Sequence, residues 1–268
     1  MKRMKVLFVL IVLAVFFVSP LAAQSTTPGT AKGLCSNGLT GIIATPSARI
    51  GWESKKIGLD AHYSFMFHNA DYFAHVPTAT ISLFQVVEVA LALEIDDEEL
   101  TNFFCNVKGQ IYKSGGAALA VGGNIEFYVG PDTTDTDKTK ISSSVFFIAT
   151  YSGNFFKMPA VTSALFGWQF FYADDFQARF NFSMGFEMAL FPSVFHNFVY
   201  WITDFGNYSY VQVPASGINA DNRGSFNTGI RFDVLKKGNM KLQFDIVGTD
   251  LLDTDRGLMA AATFGIGF

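Results

Sequence analysis

Among residues able to do chemistry, two sets of carboxylates share one spacing: Asp132, Asp135 and Asp137, and again Asp250, Asp253 and Asp255. Oxygen ligands at such intervals on a turn suit a hard cation such as Ca²⁺. Neither set continues as an EF-hand loop, which needs a glycine at its sixth position and a closing glutamate. Solvated acidic loops fit better, and no metal site is assigned. The imidazoles are His62, His68, His75 and His196, and none accompanies a G-x-S-x-G or H-E-x-x-H motif. A barrel hydrolase takes the partner of its histidine from a neighbouring strand, which spacing does not show. No catalytic residue and no cofactor is expected, and the chain is not read as an enzyme. Cys35 and Cys105 are too few for a disulfide framework and read as two small buried thiols.

The start of the chain carries a different signal. Lys2, Arg3 and Lys5 precede thirteen apolar residues, Val6 to Val18, followed by Ser19, Pro20, Ala22 and Ala23. This is the pattern of a secretory signal peptide spanning 1–23. Its loss takes the net charge from −4 to −7, so a nucleic-acid or other polyanionic partner is not expected. Beyond it no apolar run is long enough for a membrane helix. Yet half the chain is apolar and 30 residues are Phe, so something must bury that surface.

From residue 56 onward the period is two. Phe176, Ala178, Phe180, Phe182, Met184, Phe186, Met188 and Leu190 share one face, against Gln177, Arg179, Asn181, Ser183, Gly185, Glu187 and Ala189 on the other. Only a strand sorts residues this way. Twelve strands follow: 56–67, 73–84, 86–95, 101–112, 116–129, 141–151, 161–171, 175–190, 197–213, 223–235, 239–248 and 257–268. The connections alternate between polar or acidic loops, such as 96–100 and 130–140, and tight turns at Gln85, Ser114 to Gly115 and Lys236 to Gly238. Two unlike ends are what a membrane barrel produces. Pro77 inside the second strand counts against that strand.

A soluble sandwich would turn the apolar face to a core and a charged face to water. Here the polar face is crowded with Gly, Ala, Ser, Asn and Gln and carries both charge signs, as an interior does. The aromatic face therefore meets lipid, with Tyr72, Tyr112, Tyr128, Tyr151, Trp168, Tyr172 and Trp201 as candidate interfacial residues. The expected fold is an all-β, transmembrane, antiparallel up-and-down barrel of about 12 strands, with 14 or 10 as alternatives, over 56–268. Counting 39–48 as a strand and splitting 197–213 gives 14, but places the long acidic loops in the periplasm.

With its signal peptide and its last strand, Gly257 to Phe268, the chain resembles bacterial outer-membrane β-barrel proteins. Leu258, Ala260, Ala262, Phe264, Ile266 and the terminal Phe268 share one face of that strand. The resemblance implies that Phe264, Ile266 and Phe268 form the assembly signal read by the outer-membrane insertion machinery, and that the partners are that machinery and a lipid bilayer. Gly38 to Arg49 is also similar to the opening of some poorly characterised barrels linked to exopolysaccharide secretion, and no function is carried over from it.

Residues 24–55 are then a periplasmic arm or a plug in the lumen. Lys108, Glu126, Arg179, Glu187, Arg231, Asp233, Lys241 and Asp245 should face that lumen. Twelve strands lie between a filled interior and an open channel. A narrow passive channel for small solutes is expected; the alternative is a non-conducting surface barrel with a structural, adhesive or ligand-binding role through its outer loops. One register is specific: a three-residue turn after Leu235 sets Asp233 opposite Lys241 and Arg231 opposite Gln243.

Overall fold

A computed structural model describes residues 33–68, 72–96, 101–128, 141–172, 176–207, 224–237, 239–252 and 256–268. The expected signal peptide, Asp132, Asp135, Asp137, Asp253, Asp255 and Gly238 lie outside them. Twelve strands are present, β1 (Ile57–His68), β2 (Tyr72–Leu83), β3 (Val87–Asp96), β4 (Thr101–Ser114), β5 (Ala117–Tyr128) and β6 (Ile141–Phe155), then β7 (Met158–Tyr172), β8 (Gln177–Ala189), β9 (Val199–Gly206), β10 (Ser225–Lys237), β11 (Met240–Thr249) and β12 (Gly257–Gly267). Each pairs antiparallel with its chain neighbours, and β12 returns to β1. Closure removes the sheet edge that hydrocarbon cannot solvate. The ladder runs from Gly58 opposite Gly267 to His68 opposite Gly257, and the Phe268 amide donates to the Ile57 carbonyl at 2.8 Å.

Burial alternates along each strand as the sequence does; in β11, Lys241, Gln243 and Asp245 are inside while Phe244 and Ile246 are exposed. Leu59, Phe67, Val145, Trp168, Ile246 and Leu258 are exposed outward around the barrel. No water-soluble monomer presents a continuous apolar wall of this kind, so the wall faces lipid. A closed, even-stranded antiparallel barrel with a lipid-facing wall and tight turns at one end is the architecture of bacterial outer-membrane barrels.

Those turns are Phe84 to Val86, Gly115 to Gly116 and Phe156 to Lys157, and the last is a two-residue turn with both residues at positive φ. At the same end, between β8 and β9, lies the helical turn α1 (Pro192–Phe195), with Phe191 and His196 in the left-handed region on either side. The strand expected over 197–213 is shorter: β9 ends at Gly206, and 208–223 lie outside the described residues. The β2–β3 ladder is broken where Pro77 has no amide to give, passing from His75 opposite Ile95 to Thr78 opposite Ala92.

The expected β10–β11 register is corrected. Arg231 lies opposite Asp245 and Asp233 opposite Gln243; the ladder then shifts between Asp233 and Leu235, and Lys237 lies opposite Met240. A bulge at Val234 absorbs one residue, which shortens the turn to two residues and keeps Asp233 and Lys241 on the inner face. The observed register is the one that sets the Arg231 guanidinium against the Asp245 carboxylate, 2.8 Å apart.

Candidate functional site: a lumen filled by the chain's own segment

Between Gly33 and Lys56 the sequence has no period of two, and it folds back on itself. Cys35 N donates to Leu39 O at 2.8 Å, Gly41 N to Gly33 O at 2.9 Å and Ser47 N to Thr40 O at 2.8 Å. Short bridges join Leu34 to Thr40 and Gly41 to Pro46. This double loop presents Leu39, Ile42, Ile43 and Ala48 outward to inward-facing residues of the strands. Ile42 and Ile43 pack with Met66, Val76, Phe104, Ile202 and Val247, whereas Leu39 and Ala48 pack with Ala90, Ala120, Phe146 and Leu165. These contacts come from strands all around a closed barrel, so the segment occupies its lumen. Residues 33–55, the described part of the stretch 24–55, form this lumenal plug.

Polar anchors fix it. Glu88 (β3) accepts the Thr40 amide at 3.0 Å, the Thr40 hydroxyl at 2.6 Å and the Gly51 amide at 2.6 Å, and pairs with Lys108 (β4) at 2.9 Å. Lys108 Nζ also donates to the carbonyls of Thr40, Ser47 and Arg49. Asp204 (β9) accepts the consecutive amides of Ala44 and Thr45 at 2.6 and 2.9 Å. Arg231 (β10) donates to the carbonyls of Gly41 and Ile42 and pairs with Glu187 (β8) and Asp245 (β11) at 2.6 and 2.8 Å. A β-carbon on Gly33 would lie 1.9 Å from Arg231 Cζ, so glycine is required for this approach. Near the tight-turn end, Trp52 Nε1 donates to Asp60 (β1), which pairs with Lys241 (β11) at 3.0 Å.

Seven of the eight residues expected in the lumen are buried there: Lys108, Glu126, Glu187, Arg231, Asp233, Lys241 and Asp245. Lys108, Arg231, Glu187, Asp245 and Lys241 belong to the anchors. Glu126 accepts the Ser142 hydroxyl at 2.8 Å, and Asp233 accepts from Gln243. Arg179, on the face it shares with Gln169, is half-buried with its guanidinium 5.4 Å from the centre of the Phe171 ring. Phe264 and Phe268 are exposed on the outer wall, and Ile266 opposite Leu59 is half-buried there.

Asp204 and Trp52 escaped the sequence reading. Around Asp204 both faces are apolar, with Tyr200 and Ile202 inward and Trp201 and Phe205 outward, so alternation there carries no sign. Trp52 lies in the aperiodic segment. The imidazoles are scattered: His62 is buried with its ring nitrogens on the Thr263 and Ser64 hydroxyls, His75 packs with Phe65 and Phe73, and His196 sits beside α1. Both cysteines are free. Cys35 lies inside the plug, where burial, helped by the Asp204 carboxylate, pushes its thiol well above the ordinary range; Cys105 is half-buried on the outer face, a correction to the expectation of two buried thiols.

No family model and no curated protein matches the chain. Among solved structures it is similar to the KdgM porin, at 5% identity and a TM-score of 0.47 over 79% of this chain and 99% of that one. It is similar to the translocator domain of the autotransporter NalP from Neisseria meningitidis at 8% identity and a TM-score of 0.46, covering 80% and 89% of the two chains. For the Acinetobacter baumannii outer membrane protein Omp33 the values are 9%, 0.43, 80% and 98%.

Proposed function

We propose that the chain is a passive channel for small solutes in the outer membrane, closed at rest by its own residues 33–55. The path would be lined by Lys108, Glu126, Arg179, Glu187, Arg231, Asp233, Lys241 and Asp245. The observation that carries this reading is the nature of the anchors: the plug is tied to the wall through the side chains of Glu88, Lys108, Asp204 and Arg231. Hydrogen bonds and ion pairs of this kind can exchange for water, and the ladder that closes the barrel does not depend on them. No catalytic step, cofactor or metal enters the proposal. The insertion machinery is proposed as the assembly partner, through the carboxy-terminal strand.

A second reading, the non-conducting surface barrel, is favoured by the complete burial of Lys108, Glu88 and Arg231 beneath the plug. Planar-bilayer recording of the refolded chain separates the two. Discrete openings, more frequent once the plug is released, support the channel. Silence in both states, from protein that keeps its heat-modifiable mobility, leaves the surface barrel.

A further inference from the structure

We propose that the tight-turn rim of the barrel binds anionic phospholipid, with aromatic turn tips seated among the acyl chains and neighbouring lysines on the headgroup phosphates. Three connections at this end hold a Phe in the left-handed region: Phe84 at φ 52°, Phe156 at φ 46° and Phe191 at φ 39°. A bulky side chain is disfavoured there, and turns with positive φ ordinarily take Gly, Asn or Asp. The three residues are also among the most exposed apolar groups of the described chain, at 71%, 81% and 61%. Water offsets neither cost.

The occupant follows from what the rim continues and from its charge. The Phe156 ring meets Phe155 edge-on with centroids 4.5 Å apart, Phe155 meets Phe186 at 5.7 Å, and Phe186 meets Trp201 at 5.7 Å. This chain of rings runs from the turn tip onto the lipid-facing wall, so the apolar surface does not stop where the strands end. The Phe84 tip is held in place: its amide donates to the Lys56 carbonyl at 2.6 Å, and the Val86 carbonyl accepts the Gln110 amide at 2.7 Å. Exposed Lys56 is thereby set next to Phe84, as exposed Lys157 follows Phe156. The sequence adds Lys236 and Lys237 at the β10–β11 turn of the same end, whereas the opposite end is acidic, with Asp97, Glu98 and Glu99 after β3. Short turns face the periplasm in barrels of this class, so the leaflet concerned is the inner one. Apolar rings in the interface, flanked by lysines whose stems let the ammonium reach phosphate, suit an anionic leaflet. A soluble partner would call for an apolar patch set apart from the bilayer, and here patch and wall are one surface.

The test uses the refolded full chain in phosphatidylcholine vesicles carrying a trace of spin-labelled phosphatidylglycerol or spin-labelled phosphatidylcholine. Electron spin resonance reads the fraction of each lipid whose motion the barrel restricts. Phosphatidylglycerol is expected to associate several-fold more strongly, and the preference should shrink as KCl is raised. Lys56→Gln with Lys157→Gln should cut it at least in half while heat-modifiable mobility is kept. Equal association of the two lipids with the wild type, or a preference that the double variant leaves unchanged, overturns the proposal. Depth is read separately with Phe156→Cys in a Cys105→Ser background, labelled in the folded barrel with an environment-sensitive fluorophore while Cys35 is shielded by burial. Its emission should be that of a hydrocarbon surrounding. Emission as from water overturns the seating of the tip and leaves the rim to a soluble partner in the periplasm.

Discussion

Lys108 and Glu88 face each other across β4 and β3 with Nζ and Oε2 2.9 Å apart, and neither side chain has any solvent exposure. Two charges so deep are stable only as a set, because desolvation of either alone exceeds what its remaining contacts return. Lys108→Met would leave the Glu88 carboxylate without its cation and take the Lys108 donor from the Thr40, Ser47 and Arg49 carbonyls, of which Thr40 keeps the Ser47 amide. A loss of about 3–5 kcal/mol is expected, read as a lower urea midpoint for heat-modifiable unfolding. Adding Glu88→Gln should recover part of it. Equal loss in the single and double variants would show that the pair is not coupled.

The bulge in β10 gives a second test. Val234 is the residue the ladder skips, and it points outward. Deleting it should leave a regular hairpin in which Asp233 stays opposite Gln243, Leu235 opposite Leu242, and every face is kept. Near-normal barrel yield is expected. Deleting Ile246 from the unbroken ladder of β11 would instead turn Lys241, Gln243 and Asp245 toward lipid and take Asp245 from Arg231. A slip of one residue inverts every following side chain, so no folded barrel should be recovered. Failure of the Val234 deletion in the same assay would count against the bulge.

That bulge also shows where the sequence was readable. Strands, their number and their lumenal face follow from a period of two, which survives wherever polar residues alternate with apolar ones. Bulges break it, and each leaves a mark: Asp233, Val234, Leu235 and Lys236 run polar, apolar, apolar, polar, as do Gln110, Ile111, Tyr112 and Lys113 at the other shift, in β4. Reading the first mark as a bulge would have given the observed register. The plug left no such sign. Leu39, Ile42, Ile43 and Ala48 follow neither helix nor strand period, because the segment packs on all sides at once and every direction is inward. Its anchor Asp204 was hidden for the opposite reason, in a strand apolar on both faces.

Cys35 reports whether the plug is seated. The thiol is fully buried and its acidity is lowered by that burial, so at pH 8 far less thiolate is present than in an exposed cysteine. In a Cys105→Ser background, iodoacetamide at pH 8 should label folded barrels much more slowly than urea-unfolded chains. Asp204→Ala, which frees the Ala44 and Thr45 amides, should speed labelling without loss of the heat-modifiable form. Equal rates in folded and unfolded wild type would mean that Cys35 is not held inside.

The last residue separates assembly from stability. Phe268 is 63% exposed on the outer wall, so its ring adds little packing, but its backbone accepts the Lys56 amide at 3.0 Å and donates to the Ile57 carbonyl at 2.8 Å, next to the seam that closes β12 on β1. Met259 is the reverse case, buried in the lumen with Ile43, with its sulfur 3.5 Å from the Ser36 hydroxyl. Met259→Ala opens a cavity worth about 2–5 kcal/mol and should lower the unfolding midpoint of barrels that still reach the membrane. Deleting Phe268 should do the opposite: a much smaller amount of protein in the outer-membrane fraction, with the barrels that do assemble close to wild type in stability. Phe268→Ala divides the two contributions, because it keeps both backbone hydrogen bonds and removes only the ring. If the insertion machinery reads the ring, this variant falls with the deletion; if seam closure is what matters, it assembles like wild type. Wild-type amounts for the deletion, by fractionation and protease accessibility, would remove the terminal residue from assembly altogether.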